Sequence, residues 1–126
     1  MTKATARLEL PFLPPYVLSP NDQSHWTKKY KARIELKEDT YMLAKSQQIP
    51  AFKKARITIT YVVKDHRRRD GDNWLAMMKG GIDGLVEARV FVDDSAQYVS
   101  FAPVQFIVDK SKAPRTIITI EEETVP

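Results

Sequence analysis

The chain of 126 residues has 43% hydrophobic residues and no cysteine, which predicts one domain over residues 1–126 and excludes disulfides, cysteine-based zinc sites and thiol nucleophiles. The formal net charge is +4, or +7 without the last six residues, EEETVP, so the composition favours a polyanionic partner. No apolar run could span a bilayer and the N-terminal MTKATARLEL lacks the apolar segment of a signal peptide, so we expect a cytoplasmic protein without a membrane partner.

The first half of the chain predicts a strand followed by a long helix. Residues 7–10 alternate between polar and apolar side chains and then run into the proline-rich PFLPPYVLSPND, which cannot continue a sheet ladder. Residues 24–47 are helical in composition, with apolar residues at multiples of three to four positions, namely Trp26, Tyr30, Ile34 and Tyr41. We expect four large side chains of the chain to lie in the core: Trp26, Trp74, Met77 and Met78.

The second half predicts one further helix among four strands. The strands are expected at residues 55–63, 89–92, 98–109 and 115–121, and the helix at residues 72–86. Gly80 and Gly81 each destabilise that helix by about 1 kcal/mol relative to alanine, which indicates close backbone packing or a local break. Pro103 marks a bulge or an edge position. The expected fold is a mixed α/β domain of order β-α-β-α-β-β-β, with two main helices on a mixed sheet.

Two aspartates, Asp70 and Asp72, stand where the second strand gives way to the second helix, directly after three arginines in KDHRRRDGDN. Taken alone, such a pair most often contains a helix cap, with Asp72 as the cap and Asp70 as a turn residue. The basic surroundings favour a metal instead, because carboxylates beside a phosphate-binding surface repel the substrate unless a cation lies between them. In a chain with only two histidines, oxygen ligands favour Mg²⁺, with Mn²⁺ as a substitute, over zinc.

A second acidic element, VDDS, follows the strand predicted over residues 89–92. If that strand lay beside the one that precedes the first acidic pair, Asp93 or Asp94 would approach the pair. Three carboxylates from two neighbouring strand ends are typical of a site for a hard cation. A turn or a helix cap is the alternative for this element as well.

Lys79 is the candidate catalytic lysine of the second helix. It follows Asp72 by seven positions, close to two helical turns, so both side chains fall on nearly one helix face. From there Lys79 could reach a scissile phosphate or the attacking water. An ion pair with Asp83, four residues further on, is the alternative.

The basic residues around the acidic pair predict contacts with DNA phosphates. A solvated surface loop is the alternative for the three arginines that precede the pair. The start of the first helix is also basic, with five Lys and Arg residues between positions 28 and 37. The expected DNA-binding residues are Arg67, Arg68, Arg69, Asn73, Lys28 and Lys29.

These motifs together resemble the RusA family of Holliday-junction resolvases, which is common in bacteria and their phages. RRRDGDN, then Lys79 with IDGL, then VFVDDSAQ follow one another in the family's order, and the N-terminal LPFLPPYVLSPNDQSHW is similar to the family's shorter opening motif. The similarity touches most of the chain, and its specific part runs over residues 67–94. In the best-known members the lysine lies one helical turn after the second aspartate, where this chain has Ala76; the later Lys79 is similar to the phage-type branch.

The resemblance implies metal ligation by Asp70, Asp72 and Asp94, an essential lysine at Lys79, and a homodimer that acts on four-way DNA. We therefore expect a Mg²⁺-dependent endodeoxyribonuclease that resolves four-way junctions by paired symmetric nicks, in DNA recombination and repair. Three alternatives stay open. They are a non-catalytic binder of branched DNA, a nuclease for flaps or other branched DNA, and a metal phosphohydrolase whose substrate is not a nucleic acid.

Overall fold

A five-stranded mixed sheet with three helices makes up the computed structural model of the protein, which describes residues 4–123. The strands are β1 Thr5–Leu10, β2 Ala55–Val63, β3 Val99–Phe101, β4 Gln105–Val108 and β5 Arg115–Glu122. The helices are α1 Trp26–Ser46, α2 Gly71–Met77 and α3 Lys79–Glu87. The expected mixed α/β class and mixed sheet are confirmed, as are the predicted first strand, first helix, second strand and last strand.

The sheet is built around β2. On one side β2 pairs antiparallel with β5, which in turn pairs antiparallel with β1 at the edge. On the other side β3 and β4 both run parallel to β2, with Ala55 opposite Val99 and Thr60 opposite Gln105. Parallel neighbours need a crossover connection, and α2 and α3 supply it between β2 and β3.

The core combines one face of β2 with the helices. Ile57, Ile59 and Tyr61 are at most 1% exposed, as the strict alternation of the strand predicts. Ile82 and Leu85 of α3 belong to the same buried cluster. The apolar side chains of the helix predicted over residues 72–86 therefore face the sheet, and its polar side chains face away from the core.

The single helix predicted over residues 72–86 is in fact two helices that meet at Met78. The glycines that follow allow α3 to pack very closely on α1. A Cβ added at Gly80 would lie 2.8 Å from a backbone carbonyl oxygen of α1, and one at Gly84 would lie 2.5 Å from another. Close packing and a local break, the two possibilities that the glycines indicated, are therefore both present.

The prediction of a strand over residues 89–92 is wrong. Arg89 has a positive φ of 64°, and the backbone N–H of Val90 donates to the carbonyl oxygen of Leu85 at 3.0 Å, so the chain turns back over the end of α3. Val90 and Phe91 are only 1% and 2% exposed. Their apolar character, which suggested a strand, reflects core residues supplied by a loop.

The strand predicted over residues 98–109 is divided into β3 and β4. The interruption contains Pro103, and the preceding Ala102 still donates its N–H to the carbonyl oxygen of Ile57 at 2.9 Å. Both short strands pair only with β2 within the described residues. The prediction that Pro103 marks an irregular edge of the sheet is confirmed.

The acidic end of the chain begins inside the sheet. Glu121 and Glu122 belong to β5, and the Glu122 carboxylate accepts a hydrogen bond from the backbone N–H of Ala4 at 3.0 Å. Residues 1–3 and 124–126, which include parts of the N-terminal segment and of EEETVP, lie outside the described residues. Within residues 4–123, none of the helices has the length and apolar character that crossing a membrane requires.

Candidate functional site

The first acidic pair stands at the start of α2, as predicted, but Asp70 rather than Asp72 is the helix cap. Oxygen Oδ1 of Asp70 accepts hydrogen bonds from the backbone N–H groups of Asp72 at 2.9 Å and Asn73 at 3.2 Å. These bonds satisfy two of the donors that every helix start leaves free. Asp72 follows in the first turn with an exposed side chain, so its carboxylate is available to a ligand.

An aromatic cluster fixes α2 against the sheet. The buried hydroxyl of Tyr61 donates to the carbonyl oxygen of Trp74 at 2.6 Å, and burial raises the pKa of that hydroxyl above its ordinary value. The rings of Tyr61, Trp74 and Phe106 have centroids 4.8 to 5.7 Å apart, within the range of favourable aromatic pairs. Trp74 packs against the core, as expected, and holds the helix turn that carries the acidic pair.

The basic loop between β2 and α2 is organised around Asp65. Arg69 donates to the Asp65 carboxylate at 2.8 Å and to the carbonyl oxygens of Asp65 and Arg67 at 3.0 Å, and its side chain is 12% exposed. Hydrogen bonds from the Arg67 backbone N–H and then from the Arg69 side chain hold the pKa of Asp65 below its usual value. Arg67 and Arg68 are exposed. Of the three arginines, Arg69 braces the loop and the other two face solvent.

Lys79 contacts the second acidic element directly. Its ammonium Nζ lies 3.3 Å from Oδ2 of Asp94, so the loop after α3 folds back onto the start of that helix. Asp93 instead accepts a hydrogen bond from the backbone N–H of Ser95 at 2.7 Å, as in a turn. The alternative prediction, an ion pair between Lys79 and Asp83, is wrong, because Asp83 pairs with Arg33 of α1 at 2.9 Å.

Asp94 and Lys79 share a pocket of about 270 Å³ with Ala76 of α2. Ala76 follows Asp72 by four residues, which places Asp72 on the same helix face about one turn away. The second acidic element therefore reaches the side of α2 on which the first one stands. It does so through the helix break and the returning loop, not through the neighbouring strand that the sequence predicted.

The carboxylates nevertheless do not form an assembled metal site. Three aspartate side chains supply the hard oxygen donors that Mg²⁺ prefers, so the donor chemistry fits. Within residues 4–123, however, no three or more His, Cys, Asp or Glu side chains come close enough together to hold an ion. Asp70 is engaged as a cap and Asp94 is paired with Lys79, and these contacts account for two of the three ligands.

The basic start of α1 contains two lysines with different roles. Lys29 donates to the carbonyl oxygens of Val17 at 2.8 Å and Ser19 at 3.0 Å, so it anchors the proline-rich segment to the helix. Lys28 is exposed and forms no salt bridge within the described residues. Only Lys28 of this pair is therefore free to contact a phosphate.

Trp26 is not a core residue, contrary to the prediction. Its side chain is 67% exposed, whereas Met77 and Met78 are buried as expected. The core face of α1 consists of Leu36, Thr40 and Ala44. Periodicity located the helix correctly but assigned the wrong face to its first turns.

No protein-family model matches this chain, and no curated protein matches it either. The resemblance to the RusA family therefore stays a prediction that depends on the motifs between residues 67 and 94.

Proposed function

We propose that this protein is a structure-selective endodeoxyribonuclease that cuts four-way DNA junctions and belongs to the RusA family. The observation that carries the proposal is the contact between Lys79 and Asp94 at 3.3 Å. It joins the second acidic element to the helix pair that begins with Asp70 and Asp72, although Asp94 follows Asp72 by 22 positions in the chain. Acidic groups from two segments, with a lysine between them, are the groups that phosphodiester hydrolysis requires.

The charge distribution supports a DNA backbone as the ligand. Arg67 and Arg68 project from the braced loop immediately before the acidic cap, and Lys28 is exposed on α1. Arg69 fixes the loop backbone through three hydrogen bonds, so the two exposed arginines extend from an ordered segment next to the acidic pair, with Arg67 3.6 Å from the Asp65 carboxylate. Contacts of this kind position a nucleic acid without reading its sequence.

Each residue has a separate part in the proposed chemistry. Hydrolysis adds water across one P–O bond, and negative charge increases on the phosphate oxygens as the bond forms. Lys79 has a side chain that is 58% exposed, so its ammonium can turn from Asp94 to a phosphate oxygen and stabilise that charge. Asp72 is exposed in the first turn of α2, just after the loop that carries Arg67 and Arg68.

The proposal includes a requirement for Mg²⁺ or Mn²⁺ and a two-fold dimer. Asp70, Asp72 and Asp94 have the donor chemistry for the ion, but their described positions do not form a metal site. A dimer with two-fold symmetry matches the near two-fold symmetry of a four-way junction, so two identical sites can nick opposing strands.

Replacement of Asp70 by asparagine tests the proposal. Asparagine is as good a helix cap as aspartate, so Asp70→Asn keeps the start of α2 intact and removes only the negative charge. We expect the variant to bind a synthetic four-way junction at least as tightly as the wild type and to lose cutting in Mg²⁺ or Mn²⁺. If Asp70→Asn cuts at the wild-type rate, the Asp70 carboxylate is a cap and has no part in chemistry.

A non-catalytic protein that binds branched DNA is the second candidate. The contacts of the acidic groups favour this candidate. Asp70 accepts hydrogen bonds from backbone N–H groups and Asp94 pairs with Lys79, so both carboxylates already have partners within the protein. This candidate predicts salt-sensitive DNA binding that is indifferent to divalent metals, with every strand left intact.

A further inference from the structure

Two large aromatic side chains lie exposed on the first turns of α1. Trp26 is 67% exposed and Tyr30 is 61% exposed. They are four residues apart, so their rings lie on the same side of the helix, one turn apart. Neither ring is used by the core, and neither is part of the proposed hydrolytic site.

Both rings line a groove of about 390 Å³ between α1 and the helix pair α2–α3, which we call the α1–α3 groove. Its walls carry Trp26, Tyr30, Lys29, Arg33, Lys79 and Gly80. Three of these residues are cationic, and none of the lining residues is acidic. The groove has the volume of a small-molecule site and an aromatic wall beside three cationic side chains, each of which also pairs with an aspartate outside the lining.

The two helices approach closely beside the groove. A Cβ at Gly80 would lie 2.8 Å from the carbonyl oxygen of Arg33, so no large side chain can enter between the backbones there. The indole of Trp26 and the phenol of Tyr30 line the groove and remain exposed to solvent. Arg33 itself is held toward α3 by its ion pair with Asp83 at 2.9 Å.

Lys79 connects this groove to the proposed hydrolytic site. The same side chain lines the α1–α3 groove and contacts Asp94 at 3.3 Å in the adjoining pocket. A ligand that places a flat ring on Trp26 and Tyr30 and an anionic group beside Lys79 would occupy both the groove and the adjoining pocket. A nucleotide has this combination of groups in one compact unit, and an apolar helix does not.

We propose that the α1–α3 groove binds an unpaired base of single-stranded DNA at the branch point, with the base stacked on Trp26 and Tyr30 and its phosphate beside Lys79 and Arg33. Aromatic platforms in cationic grooves bind single strands in this way without sequence preference. This inference rests on the proposed function and specifies how the junction is held: a base that leaves its pair where strands exchange is stacked in the groove. Fully paired duplex has no base to offer to the groove.

The test measures binding of a fluorescently labelled twelve-nucleotide oligothymidylate by anisotropy at fixed low salt. Base–aromatic stacking is worth about 1–3 kcal/mol per base, so Trp26→Ala is expected to weaken binding by roughly 5- to 150-fold. Trp26→Phe, which keeps an aromatic ring, should recover most of the affinity. Met42→Ala is the matched control, because Met42 is 64% exposed on the same helix but lies about 24 Å further along it.

The outcomes separate this inference from the proposed function. If wild-type protein nicks a four-way junction while Trp26→Ala binds the oligonucleotide as tightly as the wild type, the groove assignment is overturned and the nuclease proposal stands. If Trp26→Ala loses oligonucleotide binding and the wild type cuts no branched DNA, the groove assignment holds and the nuclease proposal fails. A third outcome would also overturn the inference. If Trp26→Ala changes the protein from a dimer to a monomer in sedimentation and leaves DNA binding unaltered, the groove is a contact between two copies of this chain.

Discussion

Gly84 provides the sharpest test of the helix packing that shapes both the site and the groove. A Cβ added at Gly84 would lie 2.5 Å from the carbonyl oxygen of Lys37 and 3.2 Å from the backbone nitrogen of Tyr41. Backbone atoms in the middle of α1 cannot turn aside, so the two helices would have to separate. Overpacking of this kind destabilises proteins by about 1–3 kcal/mol, and the severity of the contact places Gly84→Ala at the upper end.

The intrinsic preference of alanine for helices offsets about 1 kcal/mol of that penalty. We therefore expect Gly84→Ala to lower the free energy of unfolding by about 2 kcal/mol, which for a domain of this size lowers Tm by roughly 6–12 °C. The assay is urea and thermal unfolding followed by circular dichroism.

Gly71→Ala is the matched control. Its added Cβ would meet only Val104 at 3.9 Å, an ordinary contact, and no described glycine has a positive φ. This substitution should leave stability unchanged or raise it by up to about 1 kcal/mol. Equal effects of Gly84→Ala and Gly71→Ala would refute the account of close packing between α1 and α3.

Three further predictions concern the site. Tyr61→Phe should lower stability by about 1 kcal/mol at neutral pH through loss of the hydrogen bond to Trp74. Because its pKa is raised, the Tyr61 hydroxyl stays protonated more readily in the folded state than in the unfolded state. Its contribution to stability is therefore complete below the ordinary pKa of 10.0 and is lost as the pH rises above that value. The variant should lose less stability than the wild type between pH 9 and 11. Arg69→Ala should lower stability by about 1–2 kcal/mol, whereas Arg68→Ala should leave it within about 0.5 kcal/mol and reduce the salt slope of DNA affinity by about 1. Lys79→Met should free the Asp94 carboxylate and tighten Mn²⁺ binding without DNA by about two- to fivefold, as expected for loss of an exposed ion pair.

Each of these predictions has an outcome that contradicts it. Alkaline unfolding curves of Tyr61→Phe that run parallel to those of the wild type would show that this hydroxyl carries no pH dependence; Tyr16→Phe, at an exposed position, is the control. Equal stability losses in the two arginine variants would contradict the bracing role of Arg69. An unchanged Mn²⁺ dissociation constant in Lys79→Met, measured by calorimetry, would remove Asp94 from the set of metal ligands.

The regular elements could be predicted from sequence because local patterns determine them. The strict alternation of Ile57, Ile59 and Tyr61 predicts that they share one face of β2, and all three are buried in the core. The boundaries of α1 follow from its composition, and Pro103 correctly marks the irregular edge of the sheet. In each case the deciding interactions lie within a few residues along the chain.

The errors arise where contacts distant in sequence decide the structure. The apolar residues after α3 are buried in a loop because Arg89 takes a left-handed conformation at the helix end, which no period in the sequence reveals. Trp26 stays outside because the buried positions of α1, Leu36, Thr40 and Ala44, all lie beyond its first turns. The partner of Lys79 is Asp94 and not the neighbouring Asp83, since Arg33 of α1 takes that carboxylate.

The candidate site also combines features that local sequence predicts with features that depend on distant contacts. The acidic pair could be located at the start of α2 from the change in hydrophobic period, but the choice of Asp70 as the cap depends on the backbone angles of one residue. Three adjacent arginines look equivalent in the sequence. Only the fold separates Arg69, which is bonded to Asp65, from the two that face solvent.

The most direct test of the central claim is to map the strand breaks in a synthetic four-way junction after incubation with the wild-type protein and Mg²⁺. The proposal predicts two nicks at symmetric positions in opposing strands, with ends that a ligase reseals. Salt-sensitive binding of the junction with all four strands intact, in Mg²⁺ and in Mn²⁺ alike, would contradict it.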